Sequence, residues 1–159
     1  MLTLLLGLGI ATASPYTGNA LMTRIERSFS SIPFGTHFPL RHLKVTDPAC
    51  RQWGDCEYID ANNVVHAADE ENRLAVKAIE VKDIGDGPIG ALGIGRLRRQ
   101  ADVVRQVNAF LRGPKLHCDS VADADGITCE ALIGVGWVDL HFGRDRRLTG
   151  LHVDAYHFT

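Results

Sequence analysis

Residues 137–158 read WVDLHFGRDRRLTGLHVDAYHF and carry the clearest strand pattern of the chain. Apolar and polar side chains alternate on both sides of a short segment, residues 143–147. Alternation with a period of two is typical of a strand that buries one face, and the intervening segment predicts a turn. The stretch therefore predicts an antiparallel hairpin with strands over residues 137–142 and 148–158. The positions expected to face the core are Val138, Leu140, Phe142, Leu151, Val153 and Ala155.

A second hairpin is predicted earlier in the chain. Residues 56–68 and residues 73–82 both have strand-like patterns, and the second segment alternates with Lys77 and Ile79 on one face. The polar run Asp-Glu-Glu-Asn at 69–72 separates them and is a strong turn signal. We therefore expect a second pair of antiparallel strands.

The two hairpins share a cysteine framework. Cys56 and Cys129 each precede a glutamate at the start of a hairpin, and Cys50 and Cys118 lie upstream of them. This similarity suggests duplication of a helix-loop-hairpin unit. The alternative is a chance likeness between two ordinary hairpins.

Two helices are predicted outside the hairpins. Residues 21–31 and residues 100–112 carry apolar side chains at helical spacing, and the second segment is followed by Gly-Pro. Residues 83–95 contain five glycines and a proline, which favours a linker.

These elements predict one α+β domain over residues 14–159. We expect an antiparallel sheet built from the two hairpins, with one or two helices packed on one face. The two helix-and-hairpin units of this domain span about 21–82 and 91–158 and are joined by the linker at 83–95. A length of 159 residues is typical of a single domain.

The first residues indicate export. Residues 2–10 are almost entirely apolar, and Ala-Thr-Ala at 11–13 is the small-x-small pattern that signal peptidase cleaves. The run is too short for a membrane anchor, so residues 1–13 predict a signal peptide and a secreted or periplasmic product. No Lys or Arg precedes the run, and the alternative is a buried N-terminal strand or helix.

The four cysteines agree with export. Cys50, Cys56, Cys118 and Cys129 allow three disulfide pairings, of which the local one closes two short loops. Each local bond is expected to contribute roughly 2–3 kcal/mol by restricting the unfolded chain. Their spacing does not match the usual ligand spacing of a structural zinc site.

Composition and motifs exclude several functions. The formal charge is −2, with 17 basic and 19 acidic side chains, so no basic stripe indicates nucleic-acid binding. The chain lacks the nucleophile-elbow and phosphate-loop patterns, and the Asp-Ala-Asp-Gly run at 123–126 lacks the glutamate of a calcium loop. No catalytic residue and no cofactor is predicted.

One face of the last hairpin carries the candidate binding residues. Polar and aromatic residues that alternate with the core positions are expected to share the opposite face. The two imidazoles and two carboxylates among them suit a divalent metal ion, with His141 and His152 as candidate ligands, or acid–base work on a substrate. The alternatives are a simply solvated face and a Trp137 that belongs to the core. The candidates are Trp137, Asp139, His141, His152, Asp154 and Tyr156.

The layout resembles a known superfold. Residues 94–111, a glycine-containing entry into a helix, and the hairpin at 137–153 are similar to elements of the β-lactamase inhibitor protein and the small outer-membrane lipoproteins. This resemblance implies tandem units of helical segments on an antiparallel sheet, with one disulfide in each. It also implies a concave sheet whose open face binds another protein.

The sequence thus predicts an exported, disulfide-stabilised, non-enzymatic protein-binding or inhibitor-like module. Its expected partner is another envelope or extracellular protein. The alternatives are a divalent-metal-binding envelope protein and a small hydrolase with an unrecognised site.

Overall fold

The computed structural model describes residues 19–119 and 126–155. Within these ranges the chain forms two α-helices and one sheet of eight antiparallel strands, which confirms the predicted α+β class. The predicted signal peptide and Tyr156 lie outside the described residues. The elements are α1 Ala20–Phe29, β1 Lys44–Val45, β2 Tyr58–Ile59, β3 Val65–Ala68, β4 Leu74–Glu80, α2 Gln100–Leu111, β5 His117–Asp119, β6 Gly126–Ile133, β7 Gly136–Gly143 and β8 Leu148–Asp154.

The strand order is β1-β2-β3-β4-β8-β7-β6-β5. Strands β1 to β4 form one antiparallel meander, strands β5 to β8 form another, and β4 pairs with β8 where the two meet. Each meander follows one helix in the chain. The sheet therefore contains more strands than the two predicted hairpins supply.

Two strands that the sequence analysis did not predict lie near the second cysteine pair. They are β5 and the start of β6, and Cys118 faces Cys129 in their pairing. Strand β5 is short and lies at the sheet edge with His117 and Asp119 exposed, so it has no apolar alternation to reveal it.

Both helices pack on one face of the sheet. Each presents an apolar stripe at helical spacing, and both stripes belong to one core cluster with Val138, Leu140 and Leu151 of the sheet. We call the face that carries these three residues the inner face. The helical members of the cluster are Met22, Ile25 and Phe29 in α1 and Val103, Val107 and Leu111 in α2.

The segment predicted to be a linker contributes to this core. Ala91, Leu92 and Ile94 are buried within residues 83–95 and join the same cluster. The backbone N–H of Leu92 donates a hydrogen bond of 3.0 Å to Ser28 Oγ on α1. This part of the glycine-rich segment is therefore packed between the helices.

Both cysteine pairs are within bonding distance. Cys50 pairs with Cys56 just before β2, and Cys118 pairs with Cys129 across β5 and β6. Since β1–β2 and β5–β6 lie at the two ends of the strand order, the disulfides lie at opposite edges of the sheet. Among the described residues, no helix combines the length and apolar character needed to cross a membrane.

Candidate functional site

The candidate residues of the last hairpin lie on the sheet face opposite the helices. In the pairing of β7 with β8, Trp137 faces Asp154, Asp139 faces His152, and His141 faces Gly150. Side chains at paired positions point to the same side of the sheet, and they alternate with the inner-face residues. We call this side, which carries Trp137, Asp139 and His152, the outer face.

Asp139, His141 and His152 form a compact cluster on the outer face. Asp139 Oδ2 lies 3.5 Å from His152 Nε2 and 3.8 Å from His141 Nε2. The two imidazole rings stack with centroids 5.6 Å apart. One potential ligand atom from each of the three residues lies within 4.8 Å of the others. We call these three residues the Asp-His-His cluster.

The cluster is partly shielded from solvent. Burial lowers the pKa of His152 below its ordinary value, against the opposing effect of the Asp139 carboxylate. At neutral pH His152 is therefore mainly the neutral imidazole, which is the form that binds metal ions. His141 is the exposed member, and its Nδ1 lies 3.5 Å from Thr128 Oγ1.

Asp139 is the buried member of the cluster. Its relative exposure is 8%, and its Oδ1 atom has no hydrogen-bond partner among the described residues. The ion-pair partners that the described structure gives its other oxygen are His141 and His152. A buried carboxylate needs compensating charge or donors, because removing it from water is costly.

Sequence reasoning missed the contribution of β6 to the same face. Glu130 faces Asp139 and Leu132 faces Trp137, and both β6 side chains are exposed. Leu132 retains 61% of its exposure. On the other flank of the hairpin, Val76 of β4 faces Asp154 and lies on the same outer face. The alternation of residues 126–133 carries this information, since Ile127, Cys129, Ala131 and Ile133 are the buried set.

Acidic side chains dominate the outer face among the described residues. Paired positions lie on the same side of the sheet. By this criterion the acidic residues of the outer face lie on the strands from β4 to β5 in the strand order, and Lys44 lies on β1 at the other edge. This distribution gives the face a negative potential. The acidic members are Glu80, Asp119, Glu130, Asp139 and Asp154.

A cleft of about 560 Å³ lies elsewhere, beside the first disulfide. Its described lining includes Asp55, Glu57 and Asp69 but no histidine, serine or free cysteine. The cleft therefore holds several carboxylates, and its described lining contains no serine or cysteine nucleophile.

Comparison with protein-family models, with curated proteins and with solved structures finds no match to this chain. The functional interpretation therefore depends on the sheet faces and on the Asp-His-His cluster.

Proposed function

We propose that this chain is an exported, non-enzymatic protein-binding or inhibitor-like module that uses its outer face. The observation that carries the proposal is the placement of both helices on the inner face, which leaves Leu132 and Glu130 of the outer face exposed and Trp137 half-buried. Leu132 and Trp137 face each other on this surface beside the acidic residues. Trp is enriched at the energetic centres of protein interfaces.

The chemistry of the outer face defines the partner. The neighbouring Leu132 and Trp137 fit an apolar side chain of a partner, and Asp154, which lies between Trp137 and Val76, favours basic side chains around it together with the other carboxylates. The partner is thus an envelope or extracellular protein with an apolar protrusion in a basic surface. Association with such a partner weakens as salt concentration rises, because ions screen the attraction.

The two disulfides support this function by limiting motion at the sheet edges. A surface that is already ordered loses less conformational entropy when it binds. Cys118–Cys129 joins β5 to β6, the strand that also carries Leu132 of the proposed surface. Disulfide bonds persist in oxidising compartments, which agrees with the export signal predicted at residues 1–13.

The strand order supports the proposed duplication. Each half consists of one helix followed by a four-stranded meander and carries one local disulfide. This is the arrangement that the resemblance to the β-lactamase inhibitor superfold implies. A tandem origin accounts for one continuous sheet with both helices on the same side.

Site-specific photo-crosslinking in the producing cells tests the proposal. A photoreactive residue at Leu132 is expected to give a discrete adduct that disappears when Trp137→Ala is added. The same residue at Arg105, whose side chain is 70% exposed on α2, is the matched control and is expected to give none. Equal adducts at both positions, or none at Leu132, would contradict an outer-face interface.

A further inference from the structure

We propose that Asp139, His141 and His152 bind one divalent transition-metal ion of the zinc class. This inference does not depend on the proposed partner. Two imidazole nitrogens and one carboxylate oxygen are a recurrent protein ligand set for Zn²⁺, with the remaining position open to water or another ligand. Imidazole favours zinc and related transition metals over calcium and magnesium, which prefer oxygen ligands.

The distances within the cluster fit one ion. Zinc lies about 2.0–2.2 Å from nitrogen and oxygen ligands, so tetrahedral neighbours are about 3.4 Å apart. Asp139 Oδ2 is 3.5 Å from His152 Nε2 and 3.8 Å from His141 Nε2. The cluster fits within 4.8 Å as a whole, so side-chain rotations suffice to complete the coordination.

The backbone holds the three ligands in place. Asp139 and His152 are direct neighbours across the β7–β8 pairing, and His141 follows Asp139 by two residues on the same face. Strand positions fix the origin of each side chain more firmly than loop positions do. His141 is exposed and gives an ion access from solvent, whereas Asp139 is buried beneath it.

The unsatisfied carboxylate is an independent reason for a cation at this position. Asp139 is nine-tenths buried, and its Oδ1 atom has no hydrogen-bond donor within the part of the chain that the structure describes. The residues paired with its other oxygen are imidazoles. A divalent ion between the three side chains supplies the positive charge that this carboxylate needs.

A neighbouring His–Asp pair provides a matched control. His117 Nε2 lies 3.2 Å from Asp119 Oδ1 on β5, but both side chains are highly exposed, and the pair is not part of the cluster. If any exposed histidine beside a carboxylate sufficed for the measured binding, His117→Ala would weaken it as much as loss of a cluster histidine.

The test is calorimetric titration of untagged, disulfide-intact protein with zinc chloride, together with Co²⁺ absorption as a measure of coordination. We expect one zinc ion per chain and the visible spectrum of a tetrahedral cobalt site. His152→Ala and His141→Ala are each expected to weaken zinc binding at least tenfold, because each removes a ligand, while His117→Ala leaves it unchanged.

Folding controls keep the result interpretable. The exposed position of His141 makes His141→Ala the variant that tests the site if His152→Ala fails to fold, as judged by circular dichroism. Zinc is also expected to raise the melting temperature of the wild-type protein and not that of His141→Ala. No zinc binding by the wild-type protein, or equal losses in the His117→Ala and His141→Ala variants, would overturn the metal site and leave the protein-binding proposal untouched.

Discussion

Lys77 is a buried cation in the middle of the sheet. Its side chain has no solvent exposure, and its Nζ donates hydrogen bonds of 3.0 Å and 3.1 Å to the carbonyl oxygens of Glu26 and Ser30 at the end of α1. Burial lowers its pKa from 10.5 to about 8, although Glu26 and Asp60 oppose the shift. Lys77 therefore connects helix and sheet through an ammonium group whose charge is disfavoured by burial.

This pKa predicts a stability change at alkaline pH. Between pH 8 and 10.5 the unfolded chain binds a proton that the folded chain does not, so the free energy of unfolding rises with pH. The rise that Lys77 contributes is up to about 3 kcal/mol, and it is absent below pH 8, where both states are protonated.

Urea denaturation of the wild-type protein and of Lys77→Met at pH 7, 8, 9 and 10 measures this effect. Relative to Lys77→Met, the wild-type protein is expected to gain stability between pH 8 and 10, because methionine has a similar length and no titrating group. Parallel stability curves across the whole pH range would contradict the assigned pKa.

At the scale of elements, the start of β7 requires a glycine where it pairs with the end of β8. A Cβ atom at Gly136 would clash with the carbonyl oxygen of Asp154 and lie 2.7 Å from Met22 Cε. The backbone oxygen cannot move without disturbing strand β8, and Met22 belongs to the buried stripe of α1. The backbone at the end of β8 therefore leaves no room for a Cβ atom at this position.

Gly136→Ala is expected to destabilise the fold by roughly 2–3 kcal/mol through overpacking. Gly113→Ala is the matched control, since nothing lies within 4 Å of a Cβ at that position. Its stability is expected to stay within about 0.5 kcal/mol of the wild-type value. Chemical denaturation of both variants gives the comparison, and equal stabilities would show that β7 and the end of β8 are not packed as described around Gly136.

The helices and the last hairpin were predictable because their patterns are local. The spacing of Ile25 and Phe29 and the alternation around Val138 and Leu140 each reflect one buried face, and the structure has the corresponding elements. Strand β5 was not predictable, because an exposed edge strand has no apolar signal. The burial of Lys77 depends on carbonyl groups of α1 that are remote in sequence.

The sequence predicts which residues belong to the candidate site but not the distances between them. Alternation places Asp139, His141 and His152 on one face, but their distances depend on the register, which a five-residue turn does not fix. The orphaned oxygen of Asp139 and the exposure of Leu132 depend on how neighbouring strands pack. Their roles as metal ligands or interface residues remain predictions.

At the scale of the whole molecule, the two faces of the sheet differ. The inner face, with the two helices, holds the core, and the outer face carries the Asp-His-His cluster, where we propose a metal ion and a protein partner. The local disulfides lie at the two edges of this sheet. Disulfide bonds persist in oxidising compartments, so this arrangement is consistent with the proposed export.

Intact mass spectrometry tests that claim most directly. The full chain is expressed in an export-competent host and weighed after alkylation with iodoacetamide, with and without prior reduction. We expect a mass that lacks residues 1–13 and four alkyl groups that appear only after reduction, one for each of Cys50, Cys56, Cys118 and Cys129. A chain that retains residues 1–13 and takes up four alkyl groups without reduction would contradict an exported, disulfide-stabilised protein.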